Sequence, residues 1–67
     1  MDKVEAVQRI LRFSDAIREW VETEHRLYFD DFDDYNVADY EGGYGEIADE
    51  VIKRGIAENI LEESDIA

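Results

Sequence analysis

The chain has no cysteine and no proline among its 67 residues, and its only histidine is His25. Without cysteine there is no disulfide and no thiolate metal site, and a single histidine cannot assemble a histidine-based metal site or proton relay. No apolar run approaches the roughly 18 residues of a membrane span, and the first residues do not resemble a secretory signal. We therefore expect one cytoplasmic domain without membrane segment, metal or cofactor.

Basic residues are scarce in the middle of the chain. The net charge is −12, from 19 acidic and seven basic residues. Residues 22–50 contain eleven of these acids and only one of the bases, Arg26, so that this segment alone carries a charge of −10. Such a segment repels phosphate, which argues against direct binding of DNA or RNA. It attracts basic protein surfaces instead.

Glycine is also absent from residues 2–27, where apolar residues recur at three- and four-residue steps. This periodicity predicts one long amphipathic helix over residues 2–27, capped by Asp2, with Phe13 and Trp20 at the edges of its apolar stripe. Eight aromatic residues and seven isoleucines, despite the charge, argue against a disordered chain.

Residues 29–43 are rich in Asp, Tyr and Asn, which favour turns, and we expect an irregular connector with one helical turn at residues 36–40. A short strand pair, residues 27–29 against 36–38, is the alternative there. A second helix is predicted from residue 45 or 46 to residue 54, ended by a left-handed Gly55. A last short helix is predicted at residues 57–63. The predicted fold class is all-α: one long N-terminal helix, two shorter C-terminal helices and an acidic connector.

Two familiar ligand-binding loops do not fit the sequence. An EF-hand loop that began at Asp31 or at Asp34 would lack both the glycine at position 6 and the glutamate at position 12. The glycines at 42, 43 and 45 precede a helix, as phosphate-binding loops do, but the neighbouring charges are acidic and would repel phosphate. Weak divalent-cation binding by the aspartates of residues 30–34 stays open.

Four aspartates, each pair followed by an aromatic residue, stand out between residues 30 and 35. We expect all four to lie at the surface, mostly without intramolecular ion pairs. Either they are simply solvated while the aromatics cap the core, or the carboxylates imitate the phosphates of a nucleic-acid backbone while half-exposed aromatics anchor a partner. The predicted partner-binding residues are Asp30, Asp31, Asp33, Asp34, Tyr35, Asp39, Tyr40 and Glu41, with Glu22, Glu24, Glu46, Asp49 and Glu50 extending the acidic field.

In its small size, strong acidity, lack of cysteine and aromatic-studded aspartate tract, the chain resembles phage-encoded inhibitors that mimic DNA: anti-CRISPR, anti-restriction and glycosylase-inhibitor proteins. The resemblance is one of composition. It implies a non-enzymatic inhibitor that blocks the positively charged nucleic-acid groove of a host defence or DNA-processing protein. The alternative is a small interaction or antitoxin-like regulatory module, monomeric or homodimeric, acting through its long helix. Burial of both Trp20 and Phe13 favours the first hypothesis, and an exposed patch of the two favours the second.

Overall fold

The computed structural model describes residues 1–38 and 41–66, and helices dominate it. Its α-helices are α1 (Lys3–Phe13), α2 (Asp15–Trp20), α3 (Asp34–Val37) and α4 (Gly45–Ala57). A π-helical turn, Val21–His25, continues α2, and short 3-10 helices lie at Phe29–Asp31 and Glu63–Asp65. The described residues contain no strand. The predicted all-α class is therefore confirmed, and the alternative strand pair is wrong.

The N-terminal helical region is confirmed over residues 3–25, but Ser14 divides it. The Asp2 carboxylate caps α1 as predicted, accepting a hydrogen bond from the Glu5 backbone N–H at 2.8 Å. Ser14 has extended backbone angles (φ −124°, ψ 104°), and its N–H still donates to the Ile10 carbonyl. Its hydroxyl accepts from the Ile17 N–H at 3.2 Å. Ser14 thus ends α1 and caps α2, because a serine hydroxyl can replace a helical backbone partner.

This helical region ends at His25, with Arg26 as its C-cap, rather than at residue 27. The π-helical turn closes with Arg26 in the left-handed conformation, at a φ of 54°. The Leu27 N–H donates to the Val21 carbonyl at 3.4 Å. The reversal turns the chain back, so that Leu27 is buried in the core while the residues around it remain exposed.

The hydrophobic core lies between α1 and α4, and α2, α3 and the connector close it. Phe32 is fully buried, and the Gln8 side-chain amide donates to its carbonyl at 3.3 Å. The connector is therefore tied to α1. The buried apolar side chains are Ala6, Val7, Ile10, Leu11, Ile17, Val21, Leu27, Phe32, Val37, Ala48, Val51 and Leu61.

The C-terminal part differs from the prediction in two ways. The second helix begins as predicted but runs to Ala57, with Gly55 buried inside it, so the prediction of a left-handed Gly55 is wrong. The left-handed residue is Asn59, at a φ of 63°. The predicted helix over residues 57–63 does not form: residues 58–62 are a turn, with the Ile60 N–H donating to the Gly55 carbonyl at 2.9 Å. The predicted helical turn at residues 36–40 overlaps α3 only at residues 36 and 37. Residues 39 and 40 of that prediction lie outside the described residues.

Candidate acidic interaction surface

The acidic tract, defined as residues 30–34, lies on the surface of the connector. Phe32 at its centre points into the core, and this burial leaves the flanking carboxylates on the solvent side. Asp30, Asp33 and Asp34 are exposed, and Asp31 is half-buried. None of the four forms an ion pair with a base in the described part of the chain. The tract therefore presents its charge outward, as the sequence predicts.

Two of the four aspartates also hold the backbone of the tract. The Asp31 carboxylate accepts from the Tyr28 N–H at 2.7 Å, across the first 3-10 helix. The Asp33 carboxylate caps α3, accepting from the Asn36 N–H at 2.8 Å. Asp30 and Asp34 form no such hydrogen bond within the described residues. Asp31 and Asp33 thus shape the tract, while Asp30 and Asp34 are the carboxylates most available to a partner.

The aromatic residues near the tract divide into two groups. Tyr35 and Tyr28 project outward and are 73% and 57% exposed. Phe32 and Tyr44 meet edge to face with ring centres 6.5 Å apart, and Phe29 packs against the core. The Tyr35 ring is accessible from solvent, and its role as an anchor stays a prediction. Tyr28 was not among the predicted partner-binding residues. The only sequence feature that pointed to it was its position two residues before the tract.

Three of the outer acidic residues are neutralised by neighbouring bases. Asp49 pairs with Lys3 at 2.9 Å. Glu50 pairs with Arg54 at 3.4 Å, and Glu22 lies 4.0 Å from Arg18. These acids add less to the field than the sequence suggested, because each lies beside a base, although Arg18 also pairs with Asp15 at 2.8 Å.

The remaining predicted acids are spread over separate places. Glu41 and Glu46 are exposed and line a groove of about 530 Å³ at the glycine turn. Glu24 lies at the π-helical turn, where it lines a different groove. The predictions for Asp39 and Tyr40 fall outside the described residues. The acidic field therefore has one dense centre, the acidic tract, and scattered outlying carboxylates.

Trp20 and Phe13 differ in their surroundings. Phe13, at the end of α1, is 68% exposed. Trp20 is half-buried against the core, and the Arg54 guanidinium carbon lies 3.8 Å from the centre of the Trp20 ring. The His25 ring meets the indole edge to face at 5.1 Å. The two aromatic side chains are therefore neither both buried nor both exposed in one patch, so that they favour neither hypothesis over the other.

Among the described residues there is no cluster of three or more side chains that could hold a metal ion. No helix in residues 1–38 or 41–66 is both long enough and apolar enough to cross a lipid bilayer. Comparison of the chain with protein-family models, with curated proteins and with solved structures found no match. Function is therefore inferred from the surface itself.

Proposed function

We propose that this protein is a non-enzymatic inhibitor that imitates nucleic acid and occupies the positively charged nucleic-acid groove of another protein, such as a host defence or DNA-processing protein. One observation carries the proposal: four carboxylates lie together on the acidic tract, and none has a cationic partner among the described residues. Elsewhere, Asp49, Asp15 and Glu50 each pair with a base, of α1, α2 and α4 respectively.

The electrostatics of the acidic tract favour a basic partner. Like charges held close together on a small domain repel each other and destabilise the compact state. A surface rich in lysine and arginine removes this repulsion on binding, and stabilises the fold through linkage. The same field attracts a basic groove from a distance and speeds association, and salt weakens this attraction.

The exposed tyrosines add contact area to the charge. Tyr28 and Tyr35 flank the acidic tract in sequence and are more than half exposed. Tyrosine is enriched at the energetic centres of protein interfaces because its rigid ring buries apolar area and its hydroxyl still forms a hydrogen bond. The charge of the tract would thus orient the protein on its basic partner, while the two tyrosine rings would supply part of the binding affinity.

Capture of a partner followed by competition with DNA tests this function. The immobilised protein is exposed to a bacterial lysate, and the retained proteins are challenged with double-stranded DNA. We expect DNA to displace a basic nucleic-acid-binding protein. Retention of every captured protein at saturating DNA would contradict the proposal.

The kinetics of the purified partner locate the binding face. Asp30→Asn with Asp34→Asn removes two negative charges without touching the backbone caps. We expect a slower on-rate and a shallower salt dependence between about 50 and 300 mM salt. The matched control, Glu62→Gln with Glu63→Gln, makes the same charge change at the exposed C-terminal end. An unchanged on-rate and salt slope in the aspartate variant would show that the tract is only solvated surface.

The exposure of Phe13 supports a second candidate, a module that acts through its N-terminal helices as a homodimer or with another protein. A large aromatic side chain that is 68% exposed gains free energy when a partner covers it. Sedimentation velocity of the wild type and of Phe13→Gln tests the homodimer. A dimer that the substitution dissociates would favour this candidate over the DNA mimic, whereas a monomer at all concentrations would remove the homodimer.

A further inference from the structure

We infer that a groove beside Trp20, the Trp20 groove, binds a guanidinium side chain of a basic partner. The inference rests on the proposed function, because it names the chemical group of the partner that this part of the surface takes. The groove is open to solvent and has a volume of about 340 Å³. Its lining residues are Ala16, Glu19, Trp20, Thr23 and Glu24.

The groove follows from the spacing of its residues on α2 and the π-helical turn. Side chains at three- and four-residue steps lie on one side of a helix, and the five lining residues have these steps. Glu19 and Glu24 are exposed, and neither pairs with a base in the described part of the chain. The groove therefore combines an indole ring with two carboxylates that lack an internal counter-charge.

The same indole already holds one guanidinium of the molecule itself, together with a different carboxylate. The Arg54 guanidinium carbon lies 3.8 Å from the centre of the Trp20 ring, and the Arg54 Nε lies 3.4 Å from a Glu50 carboxylate oxygen. Arg54 does not line the Trp20 groove. The groove thus offers the part of the Trp20 ring that Arg54 leaves uncovered, beside two carboxylates with which no base pairs in the described part of the chain.

Arginine fits this groove better than lysine for a physical reason. A guanidinium is planar and weakly hydrated, so that it stacks on an aromatic ring and still donates hydrogen bonds to a carboxylate in its own plane. An ammonium is a compact, strongly hydrated charge that interacts with the carboxylates as a point. The groove therefore discriminates between the two kinds of basic side chain, whereas the acidic tract attracts both.

Fluorescence reports directly on this groove, because Trp20 is the only tryptophan of the chain. The intact protein is titrated with a short oligoarginine peptide and with an oligolysine peptide of equal length. We expect saturable binding of oligoarginine with a change in Trp20 emission, and a clearly smaller change with oligolysine. Calorimetry measures binding independently of the emission. Oligoarginine binding without an emission change, or no binding at all, would overturn the inference.

Two variant pairs with equal charge changes separate the groove from the general field. Glu19→Gln with Glu24→Gln should weaken oligoarginine binding about two- to fivefold more than Asp30→Asn with Asp34→Asn, and should move the midpoint of the emission change to a correspondingly higher peptide concentration. The aspartate pair should shift this midpoint less. Circular dichroism checks that both variants are folded. An emission change that keeps its wild-type midpoint after the glutamate substitutions would mean that the peptide displaces Arg54 instead, and would overturn the inference.

The two proposals fail in different experiments. If the glutamate pair behaves like the aspartate pair towards oligoarginine, the groove is wrong. The competition between DNA and the captured partner is unaffected by that result. If the groove discriminates as expected but DNA does not displace the partner, the nucleic-acid mimic is wrong, and the groove serves a basic partner of another kind.

Discussion

The backbone of Gly55 lies directly against the side chain of Ile10, where α4 packs on α1. A methyl group built on Gly55 would overlap the Cγ1 and Cδ1 atoms of Ile10. Both residues are buried. Glycine is needed here because the two helices approach closely, and its backbone is helical rather than left-handed.

Gly55→Ala should destabilise the protein by up to about 2 kcal/mol net, because the added methyl group overpacks the core at a cost of about 1–3 kcal/mol. The overpacking outweighs the roughly 1 kcal/mol by which alanine is the better helix former. Urea denaturation measures the change. Ile10→Val removes the Cδ1 atom, so the same glycine substitution should cost less in that background. A more stable Gly55→Ala single variant would contradict the close approach.

Ser14→Ala should destabilise the protein by about 1–2 kcal/mol, since it removes the cap of α2. The Ser14 hydroxyl is buried, accepts from the Ile17 N–H and donates to a Glu58 carboxylate oxygen at 3.1 Å. Chemical denaturation gives the cost. Glu58→Gln keeps an acceptor for the hydroxyl and should change stability by less than about 0.5 kcal/mol. No loss in Ser14→Ala would imply a helix that needs no cap at this position.

Substitution of the two pairs of aspartates should change the stability of the protein by different amounts. Asp31→Ala with Asp33→Ala should cost about 1 kcal/mol for each lost backbone hydrogen bond. Asp30→Ala with Asp34→Ala makes the same charge change without this loss, and should leave stability unchanged or slightly higher at low salt. Thermal unfolding of both variants in the same buffer is the measurement. Equal destabilisation by the two pairs would contradict the division of roles.

Arg26→Gly should be about 1 kcal/mol more stable than Arg26→Ala. Both variants lose the only base of residues 22–50, so their difference isolates the backbone. At a φ of 54° a side chain with a Cβ atom is strained, whereas glycine is not. Denaturation curves of the two variants provide the comparison. If Arg26→Ala is the more stable, the helix does not end in the left-handed conformation.

In the N-terminal helices, the apolar periodicity and the capping residue predicted the structure well. The identity of a single residue at a tertiary contact did not. Apolar residues at three- and four-residue steps, such as Val7, Ile10 and Ile17, are buried, and Asp2 caps the first helix as predicted. The break at Ser14 was not predicted, since serine is tolerated inside many helices and caps one only where the surrounding packing favours the bend.

The sequence predicted where the acidic surface lies, but not which of its carboxylates are paired with bases. The scarcity of bases between residues 22 and 50 already required that most of the carboxylates lack a local counter-charge. The bases that neutralise Asp49 and Glu22 come from α1 and α2, outside that segment. The Trp20 groove was also missed, because a half-buried tryptophan in an apolar stripe looks like an ordinary core residue.

The sequence by itself determined the all-α class, the starts of α1 and α4 and the outward placement of the acidic tract. These properties depend on local periodicity, on capping residues and on a net charge that no internal base can neutralise. Only the tertiary structure decided that α4 continues through Gly55, that Phe32 is buried while Phe13 is exposed, and that Arg54 stacks on Trp20. Each of these depends on which distant parts of the chain approach each other, and burial and close packing then override local preference.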